Sequence, residues 1–257
     1  RHLPPALYAL AAVALVIALA KPQRTVAVPV EQATIMLVTD RSRSMSATDI
    51  PPSRLAAARS AASTFLGEVP PRVKVGAVAF NHRARLVQVP TTDRDAVRTA
   101  LSGLTPEGGT ATGEGLFLAL ASVRRPALPG SKPPPAAIVL LADGKSSNGR
   151  DVLAVARQAA EAKVPVHTVV LGTRSGTLPG GGTVTTDTET LRRVAELTGG
   201  ELRTADDADE LDAVYEELGS RLSTRDQRRQ VTAAFAGGGL LLLLAGAGAS
   251  LFARGRL

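Results

Sequence analysis

Between residues 28 and 222, short β-rich apolar runs alternate with longer segments whose apolar positions recur at helical spacing. Residues 35–39 (IMLVT) are continuously strand-like, as expected of a strand buried on both faces. Residues 73–80 (VKVGAVAF) predict a second strand and 85–89 (RLVQV) a short third, joined by the turn NHRA into a hairpin at a sheet edge. Further strands are predicted at 136–142, 166–171 and 201–204. Helices are predicted at 53–66, behind Pro51 and Pro52 with Leu55, Ala58, Ala62 and Phe65 on one face, and from Asp93 as cap to 101. Others fall at 113–123, 152–162, 189–197 and 208–222, while the Gly- and Thr-rich stretch 172–186 reads as a loop with a small hairpin at PGGGT. Strands that alternate with helices predict one α/β domain over 28–222, with a doubly wound, mostly parallel sheet. Ligands of such sheets bind beyond the carboxyl ends of the strands.

Two uncharged stretches flank this domain. Residues 3–20 (LPPALYALAAVALVIALA) lie between Arg1-His2 and Lys21, and 231–253 (VTAAFAGGGLLLLLAGAGASLFA) between Gln230 and Arg254. A membrane-crossing helix needs roughly 20 such residues, so both are expected to be transmembrane helices. The second carries a small-residue face (Ala245, Gly246, Ala249, Ser250) suited to a partner helix. The first also fits a cleavable signal-like segment, with its basic start and terminal Ala18-Leu19-Ala20. Pro4 and Pro5, which suit a helix start, favour a retained span. The first residue is Arg1, which suggests a processed product or a fragment.

The formal net charge of +7 raises the question of nucleic acid, but only 3% of residues are aromatic and no basic run interleaves with them. Much of the basic excess lies near the apolar stretches instead: Arg221, Arg225, Arg228 and Arg229 precede the second, and Arg254 and Arg256 end it. That placement suits anionic lipid head groups. The absence of cysteine removes disulfides and thiolate metal sites. His2, His82 and His167 are too scattered for a metal cluster or a catalytic triad.

The candidate chemistry sits where the fold rule puts it. Asp40 follows IMLVT, Asp143 follows IVLLA, and between them PEGGTATGEGL presents Thr110 and Thr112 ahead of a helix. With Ser42 and Ser44, these residues supply only oxygen ligands, the chemistry of a hard divalent ion such as Mg²⁺ or Mn²⁺. Asp49 reads as a turn residue outside this set.

Asp40-x-Ser42-x-Ser44, Thr110 in GGTATGEGL and Asp143 in LLADGKSSNG resemble the metal-ion-dependent adhesion site (MIDAS) of the von Willebrand factor A (VWA) domain. The stretches PPSRLAAARSAASTFL, VKVGAVAFNHRARLVQVPTTDRDAV and LRRVAELTGGELRTADDADELDAVYEEL extend the likeness to the bacterial membrane-anchored subgroup related to the aerotolerance (Bat) proteins. The resemblance implies a six-stranded sheet of order 3-2-1-4-5-6 with a short antiparallel edge strand. It implies an ion held by the two serines and the threonine, with the aspartates acting directly or through water. It also implies an open position that an acidic residue of a partner protein completes, so that the protein binds rather than catalyses. Of the two candidate threonines, Thr110 fits that pattern better than Thr112. The sequence departs from the family between the two serines, where a small residue, often Gly, is usual and this chain has Arg43, with Arg41 before the first serine. Both are expected to face a partner, because arginine recognises carboxylates in a bidentate manner.

Two other functions compete. One is a Mg²⁺-dependent phosphotransferase of the haloacid dehalogenase type, but it requires a second carboxylate where this chain has Ser42. The other is a structural subunit of a membrane complex with a degenerate metal site. Family context suggests other membrane VWA proteins and a MoxR-type AAA ATPase as partners, in assembly or maintenance of envelope or metalloprotein complexes. Lys21, Arg24, Arg221, Arg225, Arg228 and Arg229 on the domain side outnumber Arg1, Arg254 and Arg256, which alone favours a cytoplasmic domain. The resembling family has a further span and a basic loop ahead of this point, and this turns the expectation to an extracytoplasmic domain on a multi-pass cell-membrane protein. An outward domain argues against direct contact with the ATPase.

Overall fold

The computed structural model describes residues 3–20, 23–29, 33–123, 135–143, 146, 148–172, 176–178, 183–184, 186–222, 224–230 and 232–254. In chain order the elements begin with α1 (Leu3–Leu19), β1 (Gln23–Pro29), β2 (Thr34–Asp40), α2 (Arg54–Glu68), β3 (Lys74–Phe80), β4 (Ala84–Thr91), α3 (Arg94–Ser102) and α4 (Thr112–Val123). There follow β5 (Ala136–Ala142), α5 (Val152–Glu161), β6 (Val166–Leu171), β7 (Gly176–Thr177), β8 (Thr183–Val184), α6 (Thr188–Thr198) and β9 (Leu202–Ala205). The last are α7 (Ala208–Leu222), β10 (Thr224–Gln230) and α8 (Thr232–Arg254). The chain divides into two units, residues 29–224 and the paired flanks 1–28 with 225–257.

The larger unit is built on a six-stranded sheet of order β4-β3-β2-β5-β6-β9, parallel except for the edge strand β4. Counted among the strands of this sheet alone, this is the order 3-2-1-4-5-6 that the resemblance implied. Strand periodicity sorts the apolar runs onto two faces. Ile35, Leu37, Val75, Ala77, Val139 and Leu141 pack with α2, α3 and α7, and Phe65 of α2 meets Tyr215 of α7 edge to face at 5.8 Å. Met36, Val38, Val78, Ile138 and Leu140 pack on the other side with α4, α5 and α6. The central strands read as continuous apolar runs because both faces are covered.

Local side-chain chemistry sets the helix starts. The Ser53 hydroxyl accepts from Ala56 N at 3.3 Å, and Asp93 accepts from the backbone N–H groups of Asp95 and Ala96. Asp151 and Asp187 cap α5 and α6 in the same way. The expected small hairpin is present as β7 paired with β8, flanking the glycine run.

In the smaller unit β1 pairs with β10, and α1 packs against α8. Ala11 and Ala18 of α1 are buried, and a Cβ on Gly239 of α8 would meet Leu15 at 3.0 Å. The contact thus runs over Gly239, with Gly246 also buried and Ala245 exposed, rather than over the whole small-residue face expected from 245–250. Among the described residues no helix is long and apolar enough to cross a membrane, so the expected crossings at 3–20 and 231–253 are not met as such. With 17 residues α1 is about 26 Å long, short of a bilayer core of ~30 Å. The apolar run of α8 is diluted by Gly237, Gly238, Gly239, Gly246 and Gly248.

Candidate metal centre

The centre of the sheet is a topological switch point, since β2 has β3 on one side and β5 on the other. Asp40 is the last residue of β2, and Asp143 directly follows β5. Thr39 pairs with Leu141, so the two carboxylates leave adjacent strands within two residues of a common level. Both are buried.

Beyond Asp40 the chain doubles back through a 3-10 turn, residues 43–46. The Ser42 N–H donates to Asp40 Oδ1 at 2.7 Å, and the Ser42 and Ser44 hydroxyls lie 2.7 Å apart. One donates to the other, so both oxygens face a shared space. Three backbone hydrogen bonds tie this turn to the glycine-rich loop and that loop to the one after Asp143: Arg43 N to Gly108 O (3.1 Å), Glu107 N to Arg41 O (2.8 Å) and Asn148 N to Thr110 O (3.2 Å). Gly108 has φ +74°, a conformation that favours glycine. Thr110 and Thr112 are both buried, and the Thr112 hydroxyl, in the first turn of α4, has no hydrogen-bond partner. The structure therefore brings the loops of all five predicted site residues together at one end of the sheet.

Electrostatics at this point are unfavourable without a cation. Asp40 Oδ2 is buried without a hydrogen-bond partner. Burial first, and then the neighbouring Asp143 carboxylate, push the Asp40 carboxyl up to about 8, against the lowering influence of the Ser42 hydrogen bonds and Arg54. Two buried carboxyls of this kind are relieved by a retained proton or by a positive ion. The donor set of two carboxylates and up to three hydroxyls is all oxygen and fits Mg²⁺ or Mn²⁺. Among the described residues no group of three or more His, Cys, Asp or Glu side chains offers another metal site. His82 is exposed, and His167 accepts from Glu201 N at 3.3 Å, a satisfied structural role.

The two arginines differ from each other. Arg41 does not stand free toward a partner: its guanidinium donates to Thr105 O at 3.0 Å and pairs with Glu107 at 2.5 Å, bracing the glycine-rich loop. The backbone bond from Glu107 N to Arg41 O brings that carboxylate within reach. Arg43 is exposed.

Some supporting residues were not legible as such. Arg54 is fully buried and makes a two-pronged pair with Asp49, at 2.8 and 2.7 Å. Asp49 is thus more than a turn residue, although it lies outside the metal set. Asn81, buried at the end of β3, accepts from Ala111 N through its carbonyl and from Arg83 N through its side chain. Glu114 of α4 pairs with Arg150, whose guanidinium stacks 3.9 Å over Phe117, anchoring the segment beyond Asp143.

Comparison with known proteins agrees with this architecture. Residues 35–145 match the von Willebrand factor type A domain family. A UPF0353 protein of Nocardia farcinica is 38% identical over 278 aligned positions, which cover all of this chain and 83% of that protein. In fold, the chain resembles BatB from Bacteroides thetaiotaomicron (TM-score 0.62, 24% identity, 74% of this chain and 98% of the other). An aerotolerance-related membrane protein from Bacteroides fragilis is similar to the same degree (TM-score 0.62, 22% identity, 74% and 98%). The chain therefore belongs to the UPF0353 protein family, and its α/β unit is a von Willebrand factor type A domain of Bat-like fold.

Proposed function

We propose that this protein is a membrane-attached, non-enzymatic binding module that holds Mg²⁺ or Mn²⁺ and uses it to recognise an acidic residue of a partner protein. The observation that carries this reading is the buried, partnerless Asp40 Oδ2 beside Asp143 and next to the paired Ser42 and Ser44 hydroxyls. Asp40, Ser42, Ser44, Thr110 and Asp143 would hold the ion, and a bound ion supplies a Lewis-acidic position for an incoming carboxylate. The chain's own residues fix that position: the Ser42 N–H orients Asp40, and the Arg41–Glu107 pair holds the glycine-rich loop against it. Ser42 stands two residues after Asp40, where a phosphotransferase needs an acid or base, and its hydroxyl is engaged with Ser44.

Membrane attachment is supported by the exposed apolar residues of the smaller unit, among them Val16, Leu19, Leu241, Leu244 and Leu251. In this reading the α1–α8 pair beds in the cell membrane and the α/β unit faces outward, and other membrane VWA proteins are the partners it suits. A MoxR-type AAA ATPase would then act in the same assembly process without touching the outward unit.

Thermal unfolding of the full chain tests the metal site. Mg²⁺ at a hundred times its Kd should add about 2.7 kcal/mol, or about 5–10 °C in Tm for a unit of this size. Asp40→Ala should fold and lose this increment, because loops at strand ends are supported by the sheet rather than the reverse. An equal rise in parent and variant would remove the metal site and leave a structural membrane subunit.

A further inference from the structure

The proposed metal site is bordered on one side by cations that no acid among the described residues balances. Arg43, Arg83 and Arg85 are exposed, and among the described residues none of them has a hydrogen-bonded or ion-paired acidic partner. Glu107, the acid at this edge, is occupied by Arg41, with Asn81 Nδ2 at 3.5 Å. The three arginines belong to one continuous border. Arg43 N donates to Gly108 O, a Cβ on Gly108 would lie 2.8 Å from His82 Nδ1, and His82 leads directly into Arg83 and Arg85.

Beside this border the surface is concave. A cleft of about 650 Å³ lies elsewhere, at the ends of β6 and β9, but it carries its own acids, Asp187, Glu189 and Asp206. The cleft next to the basic border, about 550 Å³, lies between the edge strand β4 and the end of α3. Arg85 and the Arg41–Glu107 ion pair line it on the charged side, which leaves Arg85 as the cation of this lining without an acidic partner among the described residues, and Leu86, Val87 and Leu104 line the apolar side. A concave surface with cations at its mouth and aliphatic walls suits an extended chain with several carboxylates better than a flat, anionic lipid surface. One exposed arginine contributes little alone, but several facing the same ligand steer and select it.

We propose that the partner presents an acidic extended segment, which lies across Arg43, Arg83 and Arg85 into the cleft between β4 and α3 while one of its carboxylates reaches the Asp40–Asp143 site. The proposal rests on the binding reading above and extends it from a single carboxylate to a multiply acidic sequence. It also gives Arg43 a defined role and adds Arg83 and Arg85, which the sequence offered only as turn and strand residues.

The test uses the full chain with saturating Mg²⁺ and two capped peptides, one with glutamate at alternate positions in a glycine background and one with a single glutamate. The alternating peptide should bind more tightly, and Arg83→Ala/Arg85→Ala should weaken it roughly 5- to 10-fold. Mg²⁺ affinity and Tm should be unchanged in that variant, and Arg157→Ala, an exposed cation on α5, should leave peptide binding as in the parent. Equal affinity for both peptides, no peptide binding, or no effect of the double substitution would overturn the proposal. If the parent takes up no Mg²⁺ yet still binds the alternating peptide through Arg83 and Arg85, the metal reading fails together with the carboxylate contact at Asp40–Asp143, and the docking of the acidic segment on the arginine border stands. Binding to phosphatidylglycerol vesicles that depends on these arginines, without peptide binding, would assign the border to lipid and overturn it.

Discussion

At the residue scale the molecule is organised around one unfavourable fact, a carboxyl at the end of the central strand buried beside another. Asp40 titrates near 8 in the fold, far above the ordinary aspartate value of 3.8. Between these values the folded chain holds a proton that the unfolded chain has released, so the contribution of Asp40 to stability is fully present below about pH 4 and is lost as pH rises toward 8. Urea unfolding in the presence of chelator should therefore show a midpoint that declines from about pH 5 to 8, and Asp40→Asn should flatten the decline. Mg²⁺ should restore stability mainly at the upper end, where the carboxylate is free to take it. A midpoint that rises over this range would contradict the assigned environment of Asp40. The five candidate residues could be picked out in the sequence because each lies within a few residues of a strand end or a glycine pair, a local signal. Arg54 with Asp49, and Asn81 with Ala111, were not, because their meaning depends on what tertiary packing places opposite them.

At the scale of elements, the strands and helices of the α/β unit were legible wherever an apolar run met a cap, a proline or a glycine. β10 (TRDQRRQ) was not, since a strand without apolar residues gives no periodic signal, and its partner β1 follows the apolar α1 so closely that the two merge. Arg41 was placed on the right loop but with the wrong outlook, because its partners Thr105 and Glu107 come from a loop more than 60 residues away. Close approach of elements also explains Gly113, at the start of α4. A Cβ there would collide with the carbonyl of Arg150, which is held in place by Glu114. Gly113→Ala should destabilise the fold by about 1–3 kcal/mol. It should also weaken Mg²⁺ binding, because the displaced segment leads back to Asp143. Chemical unfolding together with a metal titration measures both effects, and a variant as stable as the parent would show that this contact yields freely.

At the scale of the whole molecule, the proposed function divides two tasks, recognition by the α/β unit and attachment by the apolar pair α1–α8. The sequence predicted attachment from uncharged length alone. The structure sets two helices side by side through alanine and glycine, with leucine and valine left exposed, and that separates apolar packing from membrane crossing. Recognition depends on whether the Asp40–Asp143 site takes an ion. Isothermal calorimetry with Mg²⁺ on the full chain at about pH 8, beside Asp40→Ala and Asp143→Ala, measures this directly. Saturable binding at a single site in the parent and none in either variant is the expected result. Absence of binding in the parent, or binding that survives both substitutions, would contradict it.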